Sequence, residues 1–336
     1  MNETTLRQIA ERRGPFAVVC LDVSHDTEDA ARQLDLRRKS VCDKLLDAGA
    51  TANMLALFER AIRDDPPVVG RGGRLLILDD HGVHADEVLP DPPAAEVVRV
   101  SSLPYLLPLV EQYGSAPVPH VVAVVDRAGC DLRTDDGHGN TETHHDLTDA
   151  AHRVAWEAQE VGAEVIVLAG EVAARAALHR DLPTDDNVVE VEAGGRAAGA
   201  GRDALDAAVA EVLDAERRRH HDEVLEAFAN EYGREDGLAV AGLAETTAAL
   251  RMANVDQLLI DADALGDRAV QVGADRAQVG VDADGPAGRS GGSGPRQTCR
   301  ADEALPVAAL LMGAEIVCAP GELPSDDGVA ALLRHH

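Results

Sequence analysis

"AEVIVLAG", Ala163–Gly170, is the stretch that decides the fold class. From Val165 to Ala169 it is apolar without a break, and it ends on a glycine. A short continuous run of this kind is the pattern of a strand covered on both faces, as in a parallel sheet. Just upstream, "LTDAAHRVAWEAQEVG" (147–162) reads as a helix. Before it, "HVVAVVDRAGCDLRT" (120–134) reads as strand, turn, strand, with "DRAG" closing the hairpin. Downstream come "EVAARAALHRDL" (171–182), a helix, and "NVVEVEA" (187–193), a strand. The order β-β-α-β-α-β defines an α/β domain.

The same logic extends to both ends. Residues 5–13 read as a helix, "FAVVCLDV" (16–23) and "RLLILDD" (74–80) as buried strands. Helices are expected over roughly 26–47 and over "TANMLALFERAIRDD" (51–65), the latter with Thr51 as N-cap. "EVVRVSSLPYLLPLVEQYG" (96–114) reads as strand, proline-containing turn and helix, and "APVP" (116–119) as a hinge. Beyond the central domain, 203–232 is helical. "LAVAGLAETTAALRMANVDQLLIDAD" (238–263) gives turn, helix and strand. "AVQVG" (269–273) is a short strand, and "DEALPVAALLMGAEIVCAPG" (302–321) is helix then strand. "DDGVAALLRHH" (326–336) is expected to close the chain as a helix, and 281–298 to be a flexible glycine/serine loop. The expectation is an α/β protein of three small α/β domains: 1–115, 116–215 and 216–336.

The charge balance is extreme. The 336 residues carry 60 acids against 31 bases, a formal net charge of −29, and only two lysines, Lys39 and Lys44. The long periodic apolar segments argue for a folded chain over an acidic disordered one. A dense carboxylate surface suits a protein from a salt-in halophile, where it maintains hydration while salt screens charge. Any nucleic-acid contact must then be a local basic patch. No apolar run reaches 18 residues, so no membrane span is expected. The opening "MNETTLRQIAERRGP" has no apolar signal core, which points to the cytoplasm. The five cysteines never form CxxC and are expected as small buried hydrophobes.

Chemistry is sought first in "RTDDGHGNTETHHDL" (133–147), where His138, His144 and His145 lie near His152 and several carboxylates. Metal-ligand spacings such as HExxH are missing, so a solvated polar loop is the expectation and no metal is assigned. "VGRGGR" (69–74) and "EAGGRAAGAGR" (192–202) match neither GxxxxGK[ST] nor GxGxxG, so no nucleotide cofactor is expected. No GxSxG elbow exists either. Two basic clusters remain: Arg37-Arg38-Lys39 with Ser40 and Lys44, and Arg217-Arg218-Arg219 with His220 and His221. Guanidinium and ammonium groups contact phosphates, which supplies most sequence-independent affinity for RNA. The competing reading is pairing with neighbouring acids at helical spacing, such as Asp35 with Lys39.

In order along the chain, "GPFAVVCLDVSHDTEDA", "LRRKSVCDKLLDAGA", "SSLPYLLPLV", "HVVAVVDRAGCDL", "EVLEAFANEYGREDGLAVAGLAETTAALRMANVDQLLI", "DEALPVAALLMGAEIV" and "DDGVAALLRHH" resemble one known group. It is the archaeo-eukaryotic class-I release factor and Pelota superfamily, in the bacterial and archaeal branch that includes the ribosome hibernation factor Balon. The central and C-terminal domains resemble release-factor domains 2 and 3. The resemblance implies a factor entering the ribosomal A site. Its first domain would face the decoding centre, the second the peptidyl-transferase centre, and the third a partner GTPase or the stalk region. Neither membrane nor DNA is implied as a partner. The release-factor decoding motif NIKS falls on Arg37-Arg38-Lys39-Ser40, where only Lys39 and Ser40 match; the YxCxxxF motif is absent. Where release factors carry a catalytic GGQ tip, this chain has Gly137-His138-Gly139-Asn140 and no glutamine. The expectation is therefore a ribosome-binding factor of hibernation, rescue or translational stress without catalysis. The alternative is a peptidyl-tRNA hydrolase using the 133–147 loop.

Overall fold

A computed structural model describes residues 3–27, 29–64, 70–114, 116, 118–137, 140–147, 149–183, 187–195, 201–281 and 296–336. The chain divides into two compact units: Leu6–Tyr113 with Glu235–His336, and Gly114–Arg234 with the N-terminal residues through Thr5.

The N-terminal segment runs α1 (Glu3–Glu11), β1 (Phe16–Asp22), α2 (Ala30–Asp47), α3 (Ala52–Asp64), β2 (Gly73–Asp79), β3 (Gly82–Leu89), β4 (Val97–Ser101) and α4 (Leu107–Tyr113). Its sheet has the order β3-β2-β1-β4 and is antiparallel throughout. β1 lies between two strands, so its apolar run is buried nearly end to end. The α2–α3 pair covers one face, with Val41, Leu45, Met54, Phe58 and Ile62 against Val19, Leu21, Leu76 and Leu78. Thr51 caps α3 as expected, its Oγ1 accepting from the Met54 amide at 3.2 Å. β3 was not expected. It is a polar edge strand, held by the Asp79 carboxylate accepting from the His81 and Gly82 amides at 2.6 and 3.1 Å in the connecting turn.

The second unit contains β5 (His120–Val125), β6 (Cys130–Asp135), β7 (Thr141–Leu147), α5 (Ala150–Val161), β8 (Val165–Gly170), α6 (Val172–Asp181), β9 (Val188–Glu190) and the 31-residue α7 (Arg202–Tyr232). The sheet order is β7-β6-β5-β8-β9. β5, β8 and β9 run parallel, while β5, β6 and β7 are antiparallel. The stretch from Val165 is indeed the doubly covered strand. Ile166 and Leu168 face α5 and α6 in one core, and Val165, Val167 and Ala169 face Val209 of α7 in the other. The "DRAG" turn closes on Asp126, whose carboxylate accepts from the Ala128 and Gly129 amides. Gly170 ends β8 at φ +103°, where a Cβ would fall 2.1 Å from the Val125 carbonyl oxygen. Only glycine fits there. The expected boundary at 215/216 falls inside α7, within this unit.

The expectation of an irregular loop over 133–147 is corrected. Thr141–Leu147 is strand β7, paired with β6 through Arg133↔Thr143 and Thr134↔Glu142, so the stretch is a hairpin.

The C-terminal segment runs β10 (Ala239–Ala241), α8 (Leu243–Arg251), β11 (Val255–Ile260), α9 (Ala262–Leu265), β12 (Ala269–Val272), β13 (Val279–Gly280), β14 (Gln297–Arg300), α10 (Ala301–Leu311), β15 (Glu315–Cys318) and β16 (Val329–Leu333). Two sheets form, β10-β16-β11-β15 and β13-β12-β14. The expected terminal helix is corrected. Val329–Leu333 is β16, an interior strand between β10 and β11. Its first three residues are fully buried, and five apolar residues after Gly328 are too few for a stable helix but fill a two-sided strand. The segment expected as a flexible loop (281–298) lies largely outside the described residues.

Candidate functional site

The first basic cluster lies on α2. Arg37 pairs with Asp22 at 2.8 Å, Arg38 with Asp35 at 2.8 Å and also with Glu59, Lys39 with Asp35 at 2.7 Å, and Lys44 with Glu96. The hydrogen bonds from Lys39 and Arg38 hold the Asp35 carboxyl down to about 2. Ser40 is exposed. Every cation of the cluster thus has an internal partner, and the Asp35 pairs with Arg38 and Lys39 have the helical spacing anticipated, whereas Arg37 and Lys44 pair with acids distant in sequence. Lys39 and Lys44 remain more than half exposed, so their partners can be exchanged.

The second cluster lies on α7 and is less completely paired. Arg217 meets Asp214 at 2.5 Å, and Arg219 meets Glu216 and Glu223 at 2.7 and 2.6 Å. Arg218 is exposed with no ion pair among the described residues.

The tip of the β6–β7 hairpin is Asp136–Asn140. Gly137 donates its amide to Asp135 Oδ1 at 2.7 Å. Asn140 donates its backbone N–H to Asp136 Oδ1 at 3.0 Å and its side-chain amide to Asp136 Oδ2 at 2.6 Å. The Asp136 amide in turn reaches the Asn140 carbonyl at 3.2 Å. The tip is closed by its own groups, and the Asn140 amide is engaged within it. His138 and Gly139 lie outside the described residues.

The histidines do not converge. His145 approaches Asp131 at 3.5 Å, and His152 is exposed on α5. His144 turns toward α5, where its Nε2 lies 2.9 Å from Glu157 Oε1 and 3.6 Å from Glu142 Oε2. Glu142, His144 and Glu157 are the one group among the described residues with a metal-like spread of donors. Arg153 already supplies a cation there, its Nη2 2.5 Å from Glu157 Oε1, while its guanidinium stacks 4.5 Å over Trp156. The arrangement is an ionic clasp fastening β7 to α5. Glu157 was not singled out in the sequence, because its partner lies on a strand that the polar stretch concealed.

None of the five cysteines forms a disulfide. Burial, with the Glu111 charge second, pushes the Cys20 thiol up to about 11 and Cys318 to about 12. No helix among the described residues is long and apolar enough to cross a membrane.

A family model, the bacterial archaeo-eukaryotic release factor family 2, matches residues 140–234, from the hairpin tip through the end of α7. Two curated proteins of Mycobacterium tuberculosis, Rv2629 and MT2704, are each 34% identical over 371 residues, covering 100% of this chain and 97% of theirs. Among solved structures, Archaeoglobus fulgidus Pelota aligns over 99% of this chain and 92% of its own, at 13% identity and a TM-score of 0.41. The chain belongs to the family it shares with Rv2629, and its residues 140–234 match the bacterial archaeo-eukaryotic release factor family 2.

Proposed function

We propose that the protein is a ribosome-associated factor that occupies the A site without hydrolysing peptidyl-tRNA, and acts in hibernation, rescue or translational stress. One observation carries this reading. The family match begins at the hairpin tip, and the only side-chain amide described there is hydrogen-bonded to Asp136. A release reaction needs an amide free to orient water against an ester, and misplacement by about 1 Å costs on the order of 100-fold. Among the described residues, the hairpin tip offers no side-chain amide free to do the chemistry.

The RNA contacts are the α2 cluster in one unit and, separately, Arg217, Arg218 and Arg219 on α7 in the other. Exposed ion pairs contribute only about 0.2–1 kcal/mol each, so Lys39 and Lys44 can leave Asp35 and Glu96 for phosphates at little cost. The C-terminal segment would carry the contact with a translational GTPase.

The test is co-sedimentation of purified protein with ribosomes across a salt series, alongside a peptide-release assay on stalled complexes. Ribosome binding without peptide release is expected. The triple variant R37A/R38A/K39A should bind more weakly to all ribosome states and flatten the salt slope by up to about three charges. Protein that never associates with ribosomes, or that releases peptide, refutes the proposal.

A further inference from the structure

A cavity of about 520 Å³ lies within the unit built from the N- and C-terminal segments. Arg13 and Leu103 reach it from the first segment, and Val272, Arg276, Arg296 and Leu311 from the second. These arginines are 263 and 20 residues apart in the chain, so nothing local groups them. Among the described lining residues Asp275 is the carboxylate, and the Glu11 charge also acts on Arg276. Asp275 Oδ1 accepts from the Ala277 amide at 3.1 Å.

That balance runs against the rest of the molecule. With 60 acids to 31 bases, a cation has about two carboxylates available to it, and Arg37, Arg38, Lys39 and Lys44 on α2 each use one. Arg13 and Arg296, by contrast, make no hydrogen bond or ion pair among the described residues. Arg276 is committed to the backbone, donating from Nη1 and Nη2 to the carbonyls of Arg12 and Glu11, the latter at 2.7 Å. Burial, followed by the charge of Arg13, lowers the Arg276 pKa from the ordinary arginine value. Three guanidiniums are therefore gathered at one partly buried place against the charges of Asp275 and Glu11.

We propose that this cavity binds a phosphorylated small molecule of mononucleotide size. Guanidinium forks match phosphate oxygens in pairs, which a chloride ion or a single carboxylate does not use fully. Leu103, Val272 and Leu311 give the remaining wall an apolar character suited to a ring system. The volume lies within the roughly 300–1,000 Å³ of small-molecule sites, and inorganic phosphate would leave most of it unfilled. Neither GxxxxGK[ST] nor GxGxxG contributes; the site is assembled from side chains brought together by the fold. It is independent of the ribosome proposal and is tested without ribosomes.

The experiment is calorimetric titration of the full chain in low-chloride buffer with AMP, GMP, inorganic phosphate and a single-stranded RNA oligonucleotide. Saturable one-to-one binding of a mononucleotide is expected, at least tenfold tighter than inorganic phosphate. R13Q and R296Q remove side chains without partners among the described residues, so they should fold as wild type by circular dichroism. Each should weaken binding by about tenfold, the scale of one charge-assisted hydrogen bond. R60Q, which removes an exposed arginine on α3, changes the net charge equally and should leave binding intact. The proposal is overturned if no mononucleotide saturates at millimolar concentration, or if only the oligonucleotide binds. It is equally overturned if R13Q and R296Q bind as wild type, or if R60Q weakens binding as much as they do.

Discussion

Arg99 joins the N- and C-terminal segments of one unit, and its removal makes the sharpest energetic prediction. Its Nη1 lies 2.9 Å from Asp302 Oδ2 and 3.6 Å from Glu303 Oε1, and its guanidinium stacks 3.7 Å over Tyr105. Asp302 and Glu303 are each 2% exposed, at the start of α10. Removing one partner of a buried ion pair costs about 3–5 kcal/mol. Asp302 retains Arg300 at 2.8 Å, which pulls the cost toward the lower bound, while loss of the cation–π contact adds about 0.5–2 kcal/mol. R99L should therefore destabilise this unit by about 4 kcal/mol, lowering its melting midpoint by on the order of 8–16 °C. The loss should also depend on pH. Burial, and then the Asp302 charge, raises the Glu303 pKa from its ordinary 4.5, while Arg99 lowers it. A group with a raised folded pKa contributes its stability below the unfolded value and loses it as pH rises through the folded one. Without Arg99 the rise is larger, so the gap between R99L and wild type should widen from pH 4 to pH 7. The single tryptophan, Trp156, sits in the other unit and reports the wrong transition. The assay is amide hydrogen exchange of α10 with far-UV dichroism melts at three pH values. A midpoint within 2 °C of wild type, or a gap that does not change with pH, refutes the reasoning.

Two glycines make a paired test of backbone geometry. G170A must place a Cβ 2.1 Å from the Val125 carbonyl oxygen at φ +103°, and should cost more than about 4 kcal/mol or leave the protein insoluble on expression. G162A, at φ +63° with open space around it, should cost only about 1–2 kcal/mol in urea unfolding. D136A removes both acceptors of Asn140, so exchange of the Asn140 amide should accelerate while global stability moves by less than about 1 kcal/mol; unchanged exchange would show the tip is held by other contacts. Because burial keeps the Cys20 and Cys318 thiols protonated at pH 8, a disulfide reagent should leave both unmodified in native protein and reach all five cysteines after denaturation.

Much of the architecture was legible because burial on two faces leaves an uninterrupted apolar signature. β1, β2 and β8 were each found that way. The failures share a cause. β7, "TETHHDL", is the edge of its sheet, so its side chains need no apolar character and periodicity has nothing to read. The alternation of Thr141 and Thr143 was the one available cue. β16 failed oppositely: alanine and leucine favour a helix by propensity, but the slot between β10 and β11 accepts only an extended chain. Tertiary context overrode the local preference.

The basic residues show why the candidate site was only half legible. A run such as Arg37-Arg38-Lys39 is conspicuous in sequence, yet a helix in an acidic chain sets carboxylates three and four residues away from almost any cation, and Asp35 answers both Arg38 and Lys39. Conspicuous clusters are thus the ones the chain neutralises most easily. Arg13, Arg276 and Arg296 attract no attention as a sequence, since no two are close and no helix joins them. They meet only because β12, β14 and the approach to β1 line one cavity, where helical spacing cannot deliver an acid. In a chain with this charge balance, uncompensated positive charge is more informative than clustered positive charge, and it is visible only once the fold is assembled. If the α2 cluster serves RNA, it does so by exchanging weak internal partners for phosphates, and its binding should fade steeply with salt. The cavity arginines Arg13 and Arg296 have no partner to give up among the described residues, so a ligand there should survive salt better than the ribosome contact does.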